Sequence, residues 1–253
     1  AACPPDSPIP AEETWDGALE AGEGISALLR GDGRLDLRGG SVLIGGFGAI
    51  ELDATDGSGT TLRTDDPGRE RALARRTVQG GLGAGEELSL SVSGGDLPIL
   101  RWVVTAWPER GCITTRIGVE GAGVVVAKAV GLRVEGPRGD GLFVGPHPAE
   151  ARIVENGSFG ALEVLADVLP GDTEGEGFGA LAPGDFAGAS VSNWNHAIGD
   201  VHGDGAWVAG ALSSDRSLPV LNLSFNPWQS TTLDDGRAGF SYFSAEAAIL
   251  PQP

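Results

Sequence analysis

The sequence predicts an all-β fold: a large two-sheet antiparallel β-sandwich with at most one or two short helical turns. Three observations predict it. Apolar and polar residues alternate in many short runs, glycine-rich turns separate the runs, and the 253 residues include 42 glycines and 16 prolines. Alternation with a period of two puts every second side chain on one face of an extended strand, the pattern of a sheet with one buried side. Many short strands punctuated by turn residues point to a sandwich or barrel. All-β units often run to roughly 200–250 residues. Residues 14–250 therefore read as one domain, with a proline-rich tether over 1–13 and a linker-like end over 251–253.

Taken in order, the chain opens on Ala1-Ala2-Cys3, which resembles the end of a bacterial lipobox. The cysteine of such a motif becomes the lipidated first residue of the mature protein. Pro4-Pro5-Asp6-Ser7-Pro8-Ile9-Pro10 then suits an extended tether off a membrane. Two alternatives stay open for Cys3: a disulfide to Cys112, the only other cysteine, or a plain thiol. The lipobox reading places the protein outside the cytoplasm, secreted or lipid-anchored at the bacterial surface or in the periplasm. Membrane contact is then expected only through Cys3, because no run approaches the ~18 apolar residues of a membrane helix.

Strands are expected over 35–38, 41–52, 88–92, 99–107, 112–119, 124–135, 162–169, 193–200, 206–212, 220–225 and 240–249. In the 112–119 run, Ile113, Thr115, Ile117 and Val119 share one face, and Thr114 and Arg116 the other. Pro108-Glu109-Arg110-Gly111 joins two of these runs as a hairpin turn, since proline presets φ early and glycine relieves it at the end. His202-Gly203-Asp204-Gly205 joins another pair. Residues 170–190, rich in glycine and acid, read as long loops. Helix signals are confined to 66–76, where Asp66 is a cap, Pro67 stands at the first helical position and Ala, Leu and Arg follow. The four arginines there (Arg69, Arg71, Arg75, Arg76) are the one local basic concentration. They suit a solvated connection balanced by Asp65, Asp66 and Glu70, or an anionic-ligand site.

Lys and Arg number 17 against 35 Asp and Glu, a formal charge of −18, and Lys128 is the only lysine. A chain this acidic repels phosphate backbones, so nucleic acid is excluded as an expected partner. No Gly-x-Ser-x-Gly, Gly-x-Gly-x-x-Gly or P-loop motif is present. The three histidines, His147, His196 and His202, do not stand at zincin spacing. His196 and His202 could meet across a hairpin beside Asp200 and Asp204, but an Asp/Gly/His-rich turn explains those residues equally, and no metal or cofactor is expected. Most aspartates sit beside glycine in turns, so no catalytic carboxylate pair can be chosen.

Six tryptophans against one tyrosine, Tyr242, is an unusual ratio. Trp102 and Trp107 read as core or strand-edge packing. Trp194 differs, because amides flank it in Ser192-Asn193-Trp194-Asn195-His196. One stacking plane with several neutral donors and acceptors suits a sugar, and it also suits a buried polar turn. Asn193, Trp194, Asn195 and His196 are therefore the candidate carbohydrate-binding residues.

The same stretch, followed by a turn and Ala206-Trp207-Val208-Ala209-Gly210-Ala211-Leu212-Ser213, resembles the N-terminal region of glycoside hydrolase family 36, the α-galactosidases and raffinose-synthase-like enzymes. Glu155-Asn156-Gly157-Ser158-Phe159 is similar to a weakened form of that family's Asn-Gly-aromatic-Gln-Ser-Trp stretch, lacking its Gln and Trp. The resemblance spans roughly 25–250. It implies a β-supersandwich that supports a C-terminal (β/α)8 barrel, whose aspartates carry the chemistry, the nucleophile behind a Lys-x-Asp motif. Lys128 is followed by Ala129-Val130, so this chain has no such motif. The expectation is a non-catalytic accessory domain of an exported carbohydrate-active enzyme, partnered by the barrel of its own polypeptide. The alternative is a free-standing surface lipoprotein that binds glycan or protein.

Overall fold

A computed structural model of the chain describes residues 17–53, 59–121, 123–135, 141–144, 152–156, 164–168, 188–193, 195–199, 206–212, 217–225 and 242–249. They form an all-β sandwich of antiparallel sheets. The strands in chain order are β1 (Ala18–Glu20), β2 (Ser26–Leu29), β3 (Arg34–Gly39), β4 (Val42–Leu52), β5 (Thr60–Arg63) and β6 (Glu70–Gly80). Next come β7 (Gly83–Ser93), β8 (Ile99–Trp107), β9 (Cys112–Glu120), β10 (Val126–Glu135), β11 (Gly141–Phe143) and β12 (Arg152–Asn156). The last are β13 (Val164–Val168), β14 (Gly188–Asn193), β15 (Asn195–Gly199), β16 (Ala206–Gly210), β17 (Ser217–Phe225) and β18 (Tyr242–Ile249).

One layer is a ten-stranded sheet in the order β1-β2-β3-β4-β10-β18-β17-β14, with β5 and β11 also paired to β4. The eleven-residue β4 is its spine. The first half of β4 pairs with β3 and β11, and the second half with β5 and β10. Facing this sheet are two four-stranded sheets, β6-β7-β8-β9 and β13-β12-β15-β16. Leu35, Ile44, Leu88, Leu90, Trp102, Ile198, Leu223 and Phe243, drawn from all three sheets, belong to one buried cluster. One large apolar core therefore joins all three sheets.

Strand alternation decides which residues enter that core. Along β8, Leu100, Trp102, Val104 and Ala106 are fully buried in it, while Arg101 between them is exposed. The Trp102 ring reaches the spine because position 48 is glycine: a Cβ there would lie 3.0 Å from Trp102 Cε2 and 2.8 Å from Ile117 Cδ1. Its Nε1 donates to the carbonyl of Gly131 at 3.0 Å, where the β10 ladder slips register. A buried indole N–H thus finds its acceptor at a bulge, which frees a carbonyl from the ladder. Truncation of Trp102 to alanine would cost roughly 3–5 kcal/mol.

Two turns show local chemistry at work. The β8–β9 hairpin closes through a 3-10 turn, Pro108–Arg110, and Gly111 follows in the left-handed region at φ 58°. Proline at the start and glycine at the end do what the sequence asks of them. Thr64 is buried at a corner: its hydroxyl donates to Gly33 O (2.7 Å) and accepts from Gly48 N (3.0 Å). The carbonyl of Thr64 lies so close to Gly33, itself at φ +87°, that no side chain fits there.

The helical signal over 66–76 is overturned, since residues from Glu70 onward are strand β6. Ala, Leu and Arg favour helix only weakly, and β7 pairs with β6 along all eleven of its residues. Nonlocal ladder bonds outweigh the local propensity. The loop segment expected over 170–190 overlaps β14, which begins at Gly188, and the rest of it lies outside the described residues.

Candidate functional site

The chain leaves the ten-stranded sheet and enters another at the stretch the sequence singles out. Asn193 ends β14, opposite Val220 of β17. Asn195 begins β15, opposite Gly210 of β16. Trp194, between them, lies outside the described residues, as do Cys3, His147 and His202. Asn195 is exposed, and His196, next along the strand, is fully buried. Burial pushes the His196 imidazole down to about 4, so it is neutral at physiological pH. The structure thus splits the stretch between two sheets, with the Asn195 amide at the surface and the His196 ring inside. Nearby, Trp207 packs edge-on against Phe243 with centroids 6.2 Å apart. Cys112 is half-buried, and burial pushes its thiol up.

A second constellation lies on the outer face of the β6–β9 sheet, formed by the residues between those that enter the core. Its rows follow from the register. Ala72, Ser91, Arg101 and Gly118 stand abreast, then Ala74, Ser89, Val103 and Arg116, then Arg76, Glu87, Thr105 and Thr114. Trp107, opposite Cys112, closes the array about 7 Å beyond Thr105. Most of the floor is Ala, Ser, Thr and Gly, and above Gly118 the space is open, with nothing within 4 Å of an added Cβ.

Glycine also seats Trp107. A Cβ at Gly80 would lie 3.0 Å from Cη2 of the indole, and one at Gly85 would lie 2.8 Å from Cε3. The six-membered ring therefore spans the bare end of the β6–β7 ribbon. Its Nε1 donates to Thr114 Oγ1 at 2.9 Å, which fixes the ring's azimuth. The side chain stays half-exposed. A rigid, half-open aromatic plane beside rows of hydroxyls is the chemistry a sugar ring requires, with C–H groups on the plane and hydroxyls on the neighbours. The sequence reads Trp107 as core or strand-edge packing, and the ring does lie at the end of β8 against Gly80 and Gly85. The pair of glycines is the sequence signal for the open seat of this ring, but only the register reveals that they lie beneath it.

In the middle of the array stands Glu87, whose side chain is only 6% exposed. Arg76 Nε donates to its Oε1 at 2.6 Å, and Arg116 Nη2 to its Oε2 at 3.4 Å. To reach Glu87, Arg116 crosses β8 from the far strand, and Val103 and Thr105 beneath that path are buried. Both guanidiniums remain largely in solvent, Arg76 at 65% exposure and Arg116 at 70%. The other three arginines of the 66–76 run have structural bonds. Arg69 donates to the Val92 and Pro98 carbonyls, Arg71 to those of Thr64 and Asp66, and Arg75 to Ala18 O and Glu86.

The third constellation covers the outer face of the ten-stranded sheet, over a small buried patch of Phe47, Ala49 and Val130. Arg63 lies on the Phe47 ring, 3.7 Å from its centre, and its Nε bonds Asp65 at 2.7 Å. Glu246 accepts from Ser244 Oγ (2.8 Å), Arg133 Nη2 (3.1 Å) and Tyr242 Oη (3.2 Å), and lies 3.2 Å from Lys128 Nζ. Burial opposes its ionisation, but the bonds from Ser244 and Lys128 and the charges of Lys128 and Arg133 outweigh that and hold Glu246 below the usual carboxylate range. In turn, Glu246 and Glu51 raise Lys128 against the effect of burial. Each charge here has an opposite partner, although Arg133 Nε is buried with no hydrogen-bond partner among the described residues.

No family model, no curated protein and no solved structure matches this chain.

Proposed function

We propose that this chain is a non-catalytic, carbohydrate-binding β-sandwich, the accessory domain of an exported carbohydrate-active enzyme of the α-galactosidase-like kind. The observation that carries the reading is Trp107, a half-exposed indole seated on Gly80 and Gly85 and pinned through Nε1 to Thr114. The resemblance around Asn193–Ser213 supplies the enzyme class, and the sandwich supplies the architecture such a domain requires. Catalysis is assigned to a barrel in the parent polypeptide, as the resemblance around Asn193–Ser213 implies.

Affinity electrophoresis of the chain through gels loaded with soluble polysaccharides tests the reading. Retardation by at least one polysaccharide, weakened about tenfold or more by Trp107→Ala with unchanged unfolding, is the expected result. Trp194→Ala tests the stretch chosen from sequence in the same gels. Migration unaffected by every polysaccharide would remove the proposal. The second reading, a free-standing surface lipoprotein, is favoured by Cys3 and the proline run behind it. Mass spectrometry of the protein from its native host, showing an unmodified Cys3, would remove that anchor.

A further inference from the structure

We infer that the Arg76–Glu87–Arg116 bridge makes the outer face of the β6–β9 sheet selective for acidic glycans, chains whose sugars carry carboxylate or sulfate groups. The inference rests on the carbohydrate-binding reading and narrows it to a ligand class. Residues 69–120, which hold this whole sheet, carry seven arginines against six carboxylates, in a chain whose formal charge is −18. This sheet carries nearly balanced charge within a strongly acidic molecule. At physiological ionic strength charges are screened beyond about 8 Å, so a ligand on this face meets the local arginines more than the distant acids.

The geometry turns that balance into a site. A carboxylate on the sheet floor holds Arg76 through Nε and Nη2, both 2.6 Å from Oε1, and Arg116 through Nη2 at 3.4 Å from Oε2, and so orients both. An arginine has five N–H donors in a planar fork, and the Arg76 and Arg116 side chains that carry those not used on Glu87 are largely in solvent. The trio of two arginines and one glutamate carries one net positive charge, and both arginines are mostly in solvent. Carboxylate and sulfate match the guanidinium fork in charge and in bidentate shape. The row holding Arg76 lies about 7 Å from Trp107 along the strand, and the row holding Arg116 about 14 Å from it. Successive sugars of an extended chain can therefore stack on Trp107 at one end and place acidic groups on the two guanidiniums in turn, beside the hydroxyls of Ser89 and Thr114. A neutral sugar would use the indole and hydroxyls but leave the arginines idle. That difference is the source of the selectivity.

The test compares polygalacturonate and dextran sulfate with neutral dextran and galactomannan, by affinity electrophoresis and calorimetry of the whole chain. Expected are tighter binding of the acidic chains, a loss of about tenfold for Arg76→Gln or Arg116→Gln, weakening by salt, and no change for Arg38→Gln, an exposed arginine on a different sheet. Trp107→Ala weakens every glycan that binds. If neutral glycans bind as tightly, with no effect of either arginine substitution, the acidic assignment is wrong while the carbohydrate reading survives. If Arg38→Gln weakens binding as much as Arg76→Gln, the effect is long-range charge and the site is not where it is placed. Equal, Arg76-dependent binding of a single-stranded oligonucleotide would also overturn the glycan assignment. Failure of every glycan to bind overturns both readings.

Discussion

The outer faces of two sheets in this protein are built from the same side chains, arginine and glutamate, and use them in opposite ways. On the ten-stranded sheet Glu246 is ringed by Ser244, Tyr242, Arg133 and Lys128, and the cations are shared with Glu51 and Glu135. On the β6–β9 sheet Glu87 holds two arginines whose outer faces stay in water. The first arrangement closes on itself and staples strands β4, β10 and β18. The second leaves both arginine side chains largely in solvent. What separates the closed face from the open one is therefore how far its arginines are buried, 15% exposed for Arg133 against 65% and 70% for Arg76 and Arg116, and charge alone does not reveal it.

This contrast can be broken or sharpened by experiment. The largest effect expected lies inside the molecule, at His196, and must be separated from the two faces first. Its folded-state pKa is about 4, below the 6.5 of an unfolded histidine. The unfolded chain therefore binds the proton first, and stability is lost as pH falls from 6.5 towards 4, by roughly 3.5 kcal/mol in full. Urea unfolding at stepped pH should show this loss in the parent and a flat response over that window in His196→Leu. Glu246 acts in a lower window. Its pKa is depressed, so its contribution is complete above the unfolded value near 4.5 and disappears as pH falls through the folded one. Glu246→Gln should cost about 2 kcal/mol at pH 7, and the penalty should shrink in acid.

Smaller effects are expected on the open face. Gly85→Ala places a methyl 2.8 Å from both the Ala106 carbonyl and the Trp107 ring. It should cost roughly 1–2 kcal/mol and shift tryptophan fluorescence to the red as the ring lifts, with loss of glycan retention. Glu87→Gln should cost only about 1 kcal/mol, because its partners are largely solvated, yet it should weaken acidic-glycan binding by releasing both guanidiniums. Equal destabilisation by Glu87→Gln and Glu246→Gln would erase the distinction between the two faces. The exposed Arg101–Glu120 pair, 2.9 Å apart, is the baseline: Arg101→Ala should change stability by less than about 0.5 kcal/mol.

The fold was legible where alternation was strong and turns were explicit. Strand β8 occupies the predicted residues, and β9 begins at Cys112 as expected, because Pro108 and Gly111 mark the turn between them. β6 was hidden by its composition. Its Ala, Leu and Arg residues look helical locally, and only its partner β7, joined through Gly80 and Gly83, makes it a strand. Short β1, β2, β5 and β11 have too few residues to show a period. The candidate site was legible as a choice of residue types, tryptophan with polar neighbours, but not as a place. Trp107 looked like packing, since nothing in its immediate neighbours announces Gly80 and Gly85, and Glu87 meets Arg116 only across an intervening strand. Juxtapositions built by register are invisible until the register is known.

The sheet change at residue 194 has a mechanical consequence. One residue separates the last rung of the β14 ladder from the first rung of the β15 ladder, and two peptide units can stretch no farther than about 7 Å. A slip of either strand by one place would have to be drawn from the other, so the two layers are geared together at this corner. Pulling on one sheet should load the next almost at once, with little give between them.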